Sequence, residues 1–180
     1  FMALLLREAI ETSRAMQELI ERDPAGVYLS NIAKHALYVI MTRPLARAIY
    51  IGDVSVLGEL LQSDREDVKL ISQQKMLANR DLFTLYRERG MLRTDQSMMA
   101  QIKICSAVAL GFMSMDQYFP AEMHSSPEET TELLAAALHA ALEPAEPVAP
   151  AVLQELKDML DQIFQQFLQM FDERLQKELA

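Results

Sequence analysis

Between Pro127 and Pro144 the chain spells one helix with little room for another reading: "SSPEETTELLAAALHAALEP". Ser126 can cap it, Pro127 suits its first turn, and Glu129 completes the spacing of a capping box. Its middle is leucine and alanine with hardly a polar interruption. A helix that apolar cannot stand alone on a surface. The preceding stretch, "DQSMMAQIKICSAVALGFMSMDQYF", is equally apolar, and Ala100, Ala107, Gly111 and Ser114 recur in it at helical intervals. A strip of small side chains lets a second helix approach closely. Glycine inside a helix costs about 1 kcal/mol relative to alanine, so Gly111 implies a packing reason. Two adjacent helices of this kind predict half of a four-helix bundle completed by a second copy. Leu134, Ala137, Leu138 and Ala141 are the expected contacts on the later helix.

The rest of the chain is compatible with that architecture. Of 180 residues, 51% are apolar, only five are glycine, and strand-like alternation is absent, which predicts an all-α, multi-helix bundle. A first helix is expected from Ala3 to Arg22, with Leu5, Leu6, Ala9, Ile10, Met16, Leu19 and Ile20 on its apolar face. Asp23-Pro24 reads as the start of a second helix that ends before Pro44 and is apolar nearly all round, hence central. Short helices "PLARAIYIG" and "SVLGELLQ" follow. Ser63 and Glu66 then open a long helix that reaches Arg89.

At "RERGMLRTD" Gly90 is expected to close that helix in a left-handed conformation. Met91 or Leu92 would fold back over the last turn, and Thr94 or Asp95 would cap the next helix. The prolines at 144, 147 and 150 make residues 144–150 an extended linker. Residues 151–180 form a last helix with Leu153, Leu156, Leu160, Ile163, Phe167, Phe171 and Leu175 at helical spacing, for packing on this domain or on a partner subunit.

Charge and chemistry argue against several functions. A net charge of −9 opposes approach to a phosphate backbone. The single Cys105 cannot form an intrachain disulfide, which suits a reducing cytoplasm. The opening "FMALLLREAIE" is too short an apolar run for a signal peptide or a membrane span, and its start in mid-helix suggests a missing upstream part. Lys103 and Asp116 likewise argue against a span in the later apolar stretch. His35, His124 and His139 have no metal-ligand spacing with Cys105 or a carboxylate pair. No nucleophile or phosphate-loop motif occurs, so neither catalytic residues, nor a metal, nor a cofactor is expected. His35, on a helix expected to be buried, reads as a hydrogen-bonded core residue.

One face of the long helix mixes polar and apolar groups: Met76, Asn79, Phe83 and Tyr86. Small-molecule pockets combine hydrophobic walls with a few polar groups, although the same pattern serves an ordinary core. Tyr38, Met41, Tyr50, Phe112, Met115 and Tyr118 are further candidates for such a pocket where helices converge.

Three stretches together resemble the TetR family of bacterial transcription regulators, in its effector-binding and dimerisation domain. "RPLARAIYIGDVSVLGELL" is similar to the segment after that family's central pocket helix. "LYRERGMLRTD" is similar to the end of its long pocket helix and the entry to its first dimer helix. "SPEETTELLAAALHAALEP" is similar to the second dimer helix. The likeness spans residues 1–143 and implies a homodimer that binds a hydrophobic small-molecule effector and regulates transcription, as a repressor. Operator DNA would be read only by an N-terminal helix-turn-helix that this sequence does not contain; "FMALLLREAI" resembles the helix leaving that unit. The competing expectation is a helical interaction module that docks a partner through residues 151–180.

Overall fold

The computed structural model describes residues 2–51 and 80–179. The expected helix "SVLGELLQ", the Ser63–Glu66 capping box and the pocket candidates Met76 and Asn79 lie outside the described residues. The architecture is all-helical, with no strand among the described residues. The helices are α1 (Met2–Arg22), α2 (Leu29–Thr42), α3 (Pro44–Ile51), α4 (residues 80–88), α5 (Met98–Ser114), α6 (Pro127–Leu142) and α7 (Pro150–Leu179). Short 3-10 turns at Met115–Tyr118 and Ala121–Met123 connect α5 to α6.

α2 is the central element, packing on α1, α3, α5 and α6. Its buried face carries Leu29, Ile32, His35, Leu37 and Val39. The main core joins Leu29, Ile32 and Leu37 to Ile20 and Val27, to Phe83 and Tyr86 of α4, to Met91 and Leu92, and to Met113 of α5. Leu134, Leu138 and Leu142 of α6 and Leu156 and Leu160 of α7 complete it. α7 runs antiparallel along α1: its early leucines share the main core with Ile20, while Leu175 meets Leu6 and Ile10 in a separate small cluster.

Asp23-Pro24 does not open a helix. Residues 24–28 form turns and α2 begins only at Leu29, after Tyr28. Asp23 does accept from the Ala25 N–H, at 2.9 Å, as a cap would. The turn does not propagate because the backbone at Gly26 lies against the end of α1. A Cβ there would stand 2.3 Å from the Ile20 carbonyl oxygen and 2.9 Å from that of Asp23. Asp23 also lies 3.0 Å from His35 Nε2, so the buried imidazole is a hydrogen-bonded core group.

Candidate functional site

The antiparallel α5–α6 pair is the most unusual part of the molecule, and the 87–97 break sets it in place. Gly90 has φ 69°, the left-handed conformation that glycine adopts without steric penalty. The Gly90 N–H donates to Arg87 O at 3.1 Å and the Met91 N–H to Tyr86 O at 2.8 Å. This is the paired bonding of a Schellman motif, and Met91 and Tyr86, its two apolar partners, are both fully buried. The next cap is Ser97, whose hydroxyl accepts from the Ala100 N–H at 3.2 Å; Thr94 and Asp95 do not fill that role. Asp95 instead pairs with Arg93 at 2.6 Å.

Three polar groups lock this corner. The amide of Gln101, fully buried, accepts from Arg87 Nη1 at 2.7 Å and donates to Arg93 O at 2.7 Å. Arg87 Nη1 also donates to Gln96 O at 2.8 Å. The Arg93 N–H then donates to Leu142 O at 2.8 Å, which fixes the entry of α5 beside the last turn of α6. Neither Gln101 nor Arg87 stands out in the sequence, since a single glutamine on an apolar helix carries no periodic signal.

With the pair so placed, much of it is left bare. The segment Met98–Tyr118 is apolar enough, by length and composition, to cross a membrane, with mean hydropathy 1.4, yet only 11% of its most apolar window is buried. Met99, Ala107, Ser114 and Leu110 are exposed, Leu110 at 49%. Among the described residues, nothing outside its own helix lies within 4 Å of the position a Cβ on Gly111 would take. Ala100 and Gly111 are half-buried. On α6, Leu133 is 50% exposed and Ala136 and Ala140 are exposed. Leu134 and Leu138 belong to this chain's own core and are fully buried, while Ala137 and Ala141 are half-buried beside them. The expected contact set therefore falls on two faces: the strip on α5 is open, and the leucines of α6 point inward.

The same C-terminal end of α6 also reaches α2. Glu143 is buried; its Oε1 accepts from the Ser30 N–H at 2.7 Å and its Oε2 lies 2.7 Å from His139 Nδ1. A carboxylate only accepts, so Nδ1 carries the proton. Tyr28 provides no side-chain cap for α2, and Glu143 supplies the missing acceptor at the positive end of the helix dipole. An open cleft of about 340 Å³ lies here, lined by Tyr28, Asn31, Glu132, His139 and Glu143 among others. Its polar groups are already matched: Asn31 Nδ2 donates to Ala25 O at 2.9 Å and Glu132 pairs with Lys34 at 2.5 Å. The cleft is a joint between helices, with no charge awaiting a ligand.

The eight pocket candidates among the described residues lie in different surroundings. Phe83 and Tyr86 are core residues, and the Tyr86 hydroxyl donates to Val27 O. Burial, with the Glu143 charge nearby, pushes that phenol well above its usual range, so it stays a neutral donor. Met41 and Phe112 pack half-buried against the core. Tyr50, Met115 and Tyr118 are exposed, Tyr118 at 75%. Tyr38 lines an open cleft of about 360 Å³ between α1 and α2, beside Leu19, Arg22, Thr42 and Arg43. Met76 and Asn79 lie outside the described residues. No cluster of three metal-ligating side chains occurs among the described residues. Burial pushes the Cys105 thiol up to about 11, so it is no nucleophile at neutral pH.

Comparison of the chain with protein-family models, with curated proteins and with solved structures finds no match.

Proposed function

We propose that this chain is the sensing and pairing part of a ligand-responsive transcription regulator of the TetR type, acting as a homodimer. The observation that carries the reading is the open face of the α5–α6 pair: an apolar helix with Met99, Ala107, Leu110 and Ser114 exposed and no neighbouring helix against Gly111 among the described residues. Large exposed apolar surfaces of this kind mark association sites. A second copy laid across the pair by two-fold symmetry covers both surfaces at once and completes a four-helix bundle. The resemblance of residues 1–143 supplies the class of regulator. It also supplies the mechanism: an effector held among the helices favours one arrangement of the core, and α1 passes the change to a DNA-reading head. Differences of about 1–3 kcal/mol between the two states are enough for such coupling.

The alternative of a partner-docking last helix is less well supported. α7 lays Leu156, Leu160 and Leu175 on its own chain, and that face would first have to be released.

Sedimentation equilibrium at micromolar concentration tests the pairing. The wild-type chain is expected as a dimer, and Leu110→Glu as a folded monomer with unchanged helical circular dichroism. A well-folded wild-type monomer would remove the basis of the proposal. Effector coupling is tested separately, by titrating apolar small molecules against operator binding of a version that carries a helix-turn-helix head; unchanged operator affinity would reject the switch.

A further inference from the structure

α1 is gripped from two sides by unlike chemistry. On one side stands Arg43, at the corner between α2 and α3. Its Nε donates to Glu8 at 2.7 Å, and its Nη2 donates to Glu8 at 3.3 Å and to Glu11 at 2.5 Å. On the other side Leu6 and Ile10 bury against Leu175, with Ala3, Leu168 and Phe171 packed around them. Among the described residues that second cluster draws on α1 and α7 alone and is separate from the main core.

The two ends of α7 are held very differently. Near its start, Leu156 and Leu160 sit in the main core and Glu155 pairs with Arg89 at 2.7 Å. Phe164 still packs against the main core; beyond it the helix meets α1 through the Leu168, Phe171 and Leu175 cluster, with no polar tie to α1 among the described residues. The ion pairs of α1 run within itself, from Arg22 to Glu18, or out to Arg43, and none joins α1 to α7 among the described residues. Where charges do meet, they are alike: Asp161 faces Glu21, with Asp158 close by and Lys157 as partial relief. Phe167 and Met170 stay exposed on the same half of the helix, and Phe167 stacks on Phe171 with ring centroids 6.2 Å apart.

We propose that the part of α7 beyond Phe164 is a strap, which leaves and rejoins the first half of α1 as a unit while the body stays folded, and so sets how firmly α1 is held. Small apolar contacts without directional bonds open at lower free energy than a cross-tied core, and contiguous segments open together. When the strap lifts, Arg43 keeps α1 tethered at Glu8 and Glu11 while Leu6 and Ile10 lose their cover. The inference does not depend on the regulator reading. If that reading holds, the strap controls the very helix that would carry the DNA-reading head.

Hydrogen–deuterium exchange on the full chain tests it. Amides of residues 3–12 and 165–179 are expected to exchange roughly a hundredfold or more faster than those of 29–42 and 130–142. Leu175→Ala is expected to accelerate both outer segments by one common factor, roughly tenfold or more, with α2 and α6 unchanged. Leu175→Val, which trims the same contact by less, is expected to accelerate both by one smaller common factor. Exchange of the outer segments at the rate of α2 and α6 would overturn the strap. So would acceleration of the whole chain by Leu175→Ala, or acceleration of residues 165–179 without residues 3–12. If Leu175→Ala fails to fold, Leu175→Val decides: common acceleration supports the strap, and no change or a change in one segment rejects it.

Discussion

The seam at Leu134, Leu138 and Leu142 and the seam at Leu6, Ile10 and Leu175 both bury aliphatic side chains at helical spacing. Around the first, polar groups tie the elements together: Glu143 to the Ser30 N–H, Gln101 between Arg87 and Arg93, and the Arg93 N–H to the end of α6. Around the second, the ties run from α1 to Arg43 and none crosses to α7 among the described residues. Burial is non-directional and tolerates sliding, whereas a buried hydrogen bond is costly to break and fixes one register. The difference between body and arm is therefore one of specificity as much as of area.

Substitution at the heart of the body should give the largest effect. Leu138→Ala should cost about 2–5 kcal/mol, read as a lower urea midpoint with one cooperative transition. A loss confined to a partial transition would mean that the body is not one unit. Cys105, packed against the same core, gives a second view of it. Its thiol pKa of about 11 against an ordinary 9.0 leaves less thiolate near pH 8. Alkylation of the folded chain should then be roughly a hundredfold slower than in urea, and should quicken as pH rises toward 11. Equal rates in the two states would show the site to be open.

Glu143→Ala removes a cap and strands the Ser30 N–H, at about 1–3 kcal/mol of global stability. Glu143→Gln should restore part of that, because its carbonyl oxygen still accepts; if both variants unfold like wild type, the long-range cap has no weight. The smallest effect belongs to the root of the arm. Burial, then the Glu21 charge, raises the Asp161 carboxyl above its ordinary value of 3.8. Relative to full ionisation, its contribution is present below 3.8 and is lost as pH rises through the raised value. Asp161→Asn should therefore stabilise the chain at pH 7 by a few tenths of a kcal/mol, about what a partly exposed surface site allows. The gain should vanish toward pH 3. A gain that persists there would assign it to something other than charge.

What the sequence reveals about this fold is mostly what acts within one turn. Ser126 caps α6, with the Glu129 N–H donating to its hydroxyl at 3.1 Å, and Gly90 ends α4 because both signals are complete within a few residues. Asp23-Pro24 misleads for the same reason: its local geometry is that of a cap, and only the approach of Gly26 to the Ile20 carbonyl, a tertiary fact, stops the helix. Phe83 and Tyr86 show the same limit at the candidate site. A mixed face on a helix suits a pocket or a core equally well, and the Val27 carbonyl that satisfies Tyr86 lies 59 residues away. Glu143 follows Leu142 and precedes a proline, with nothing local to mark it as the cap of another helix.

That cap has a bearing on biosynthesis. Ser30 and Glu143 are separated by 113 residues, so the start of the central helix lacks its acceptor until that stretch has been made. At about 5–20 residues per second the delay is roughly 6 to 23 seconds. Over that interval the nascent chain holds greasy surfaces with no finished partner, a window in which chaperone capture would be most useful.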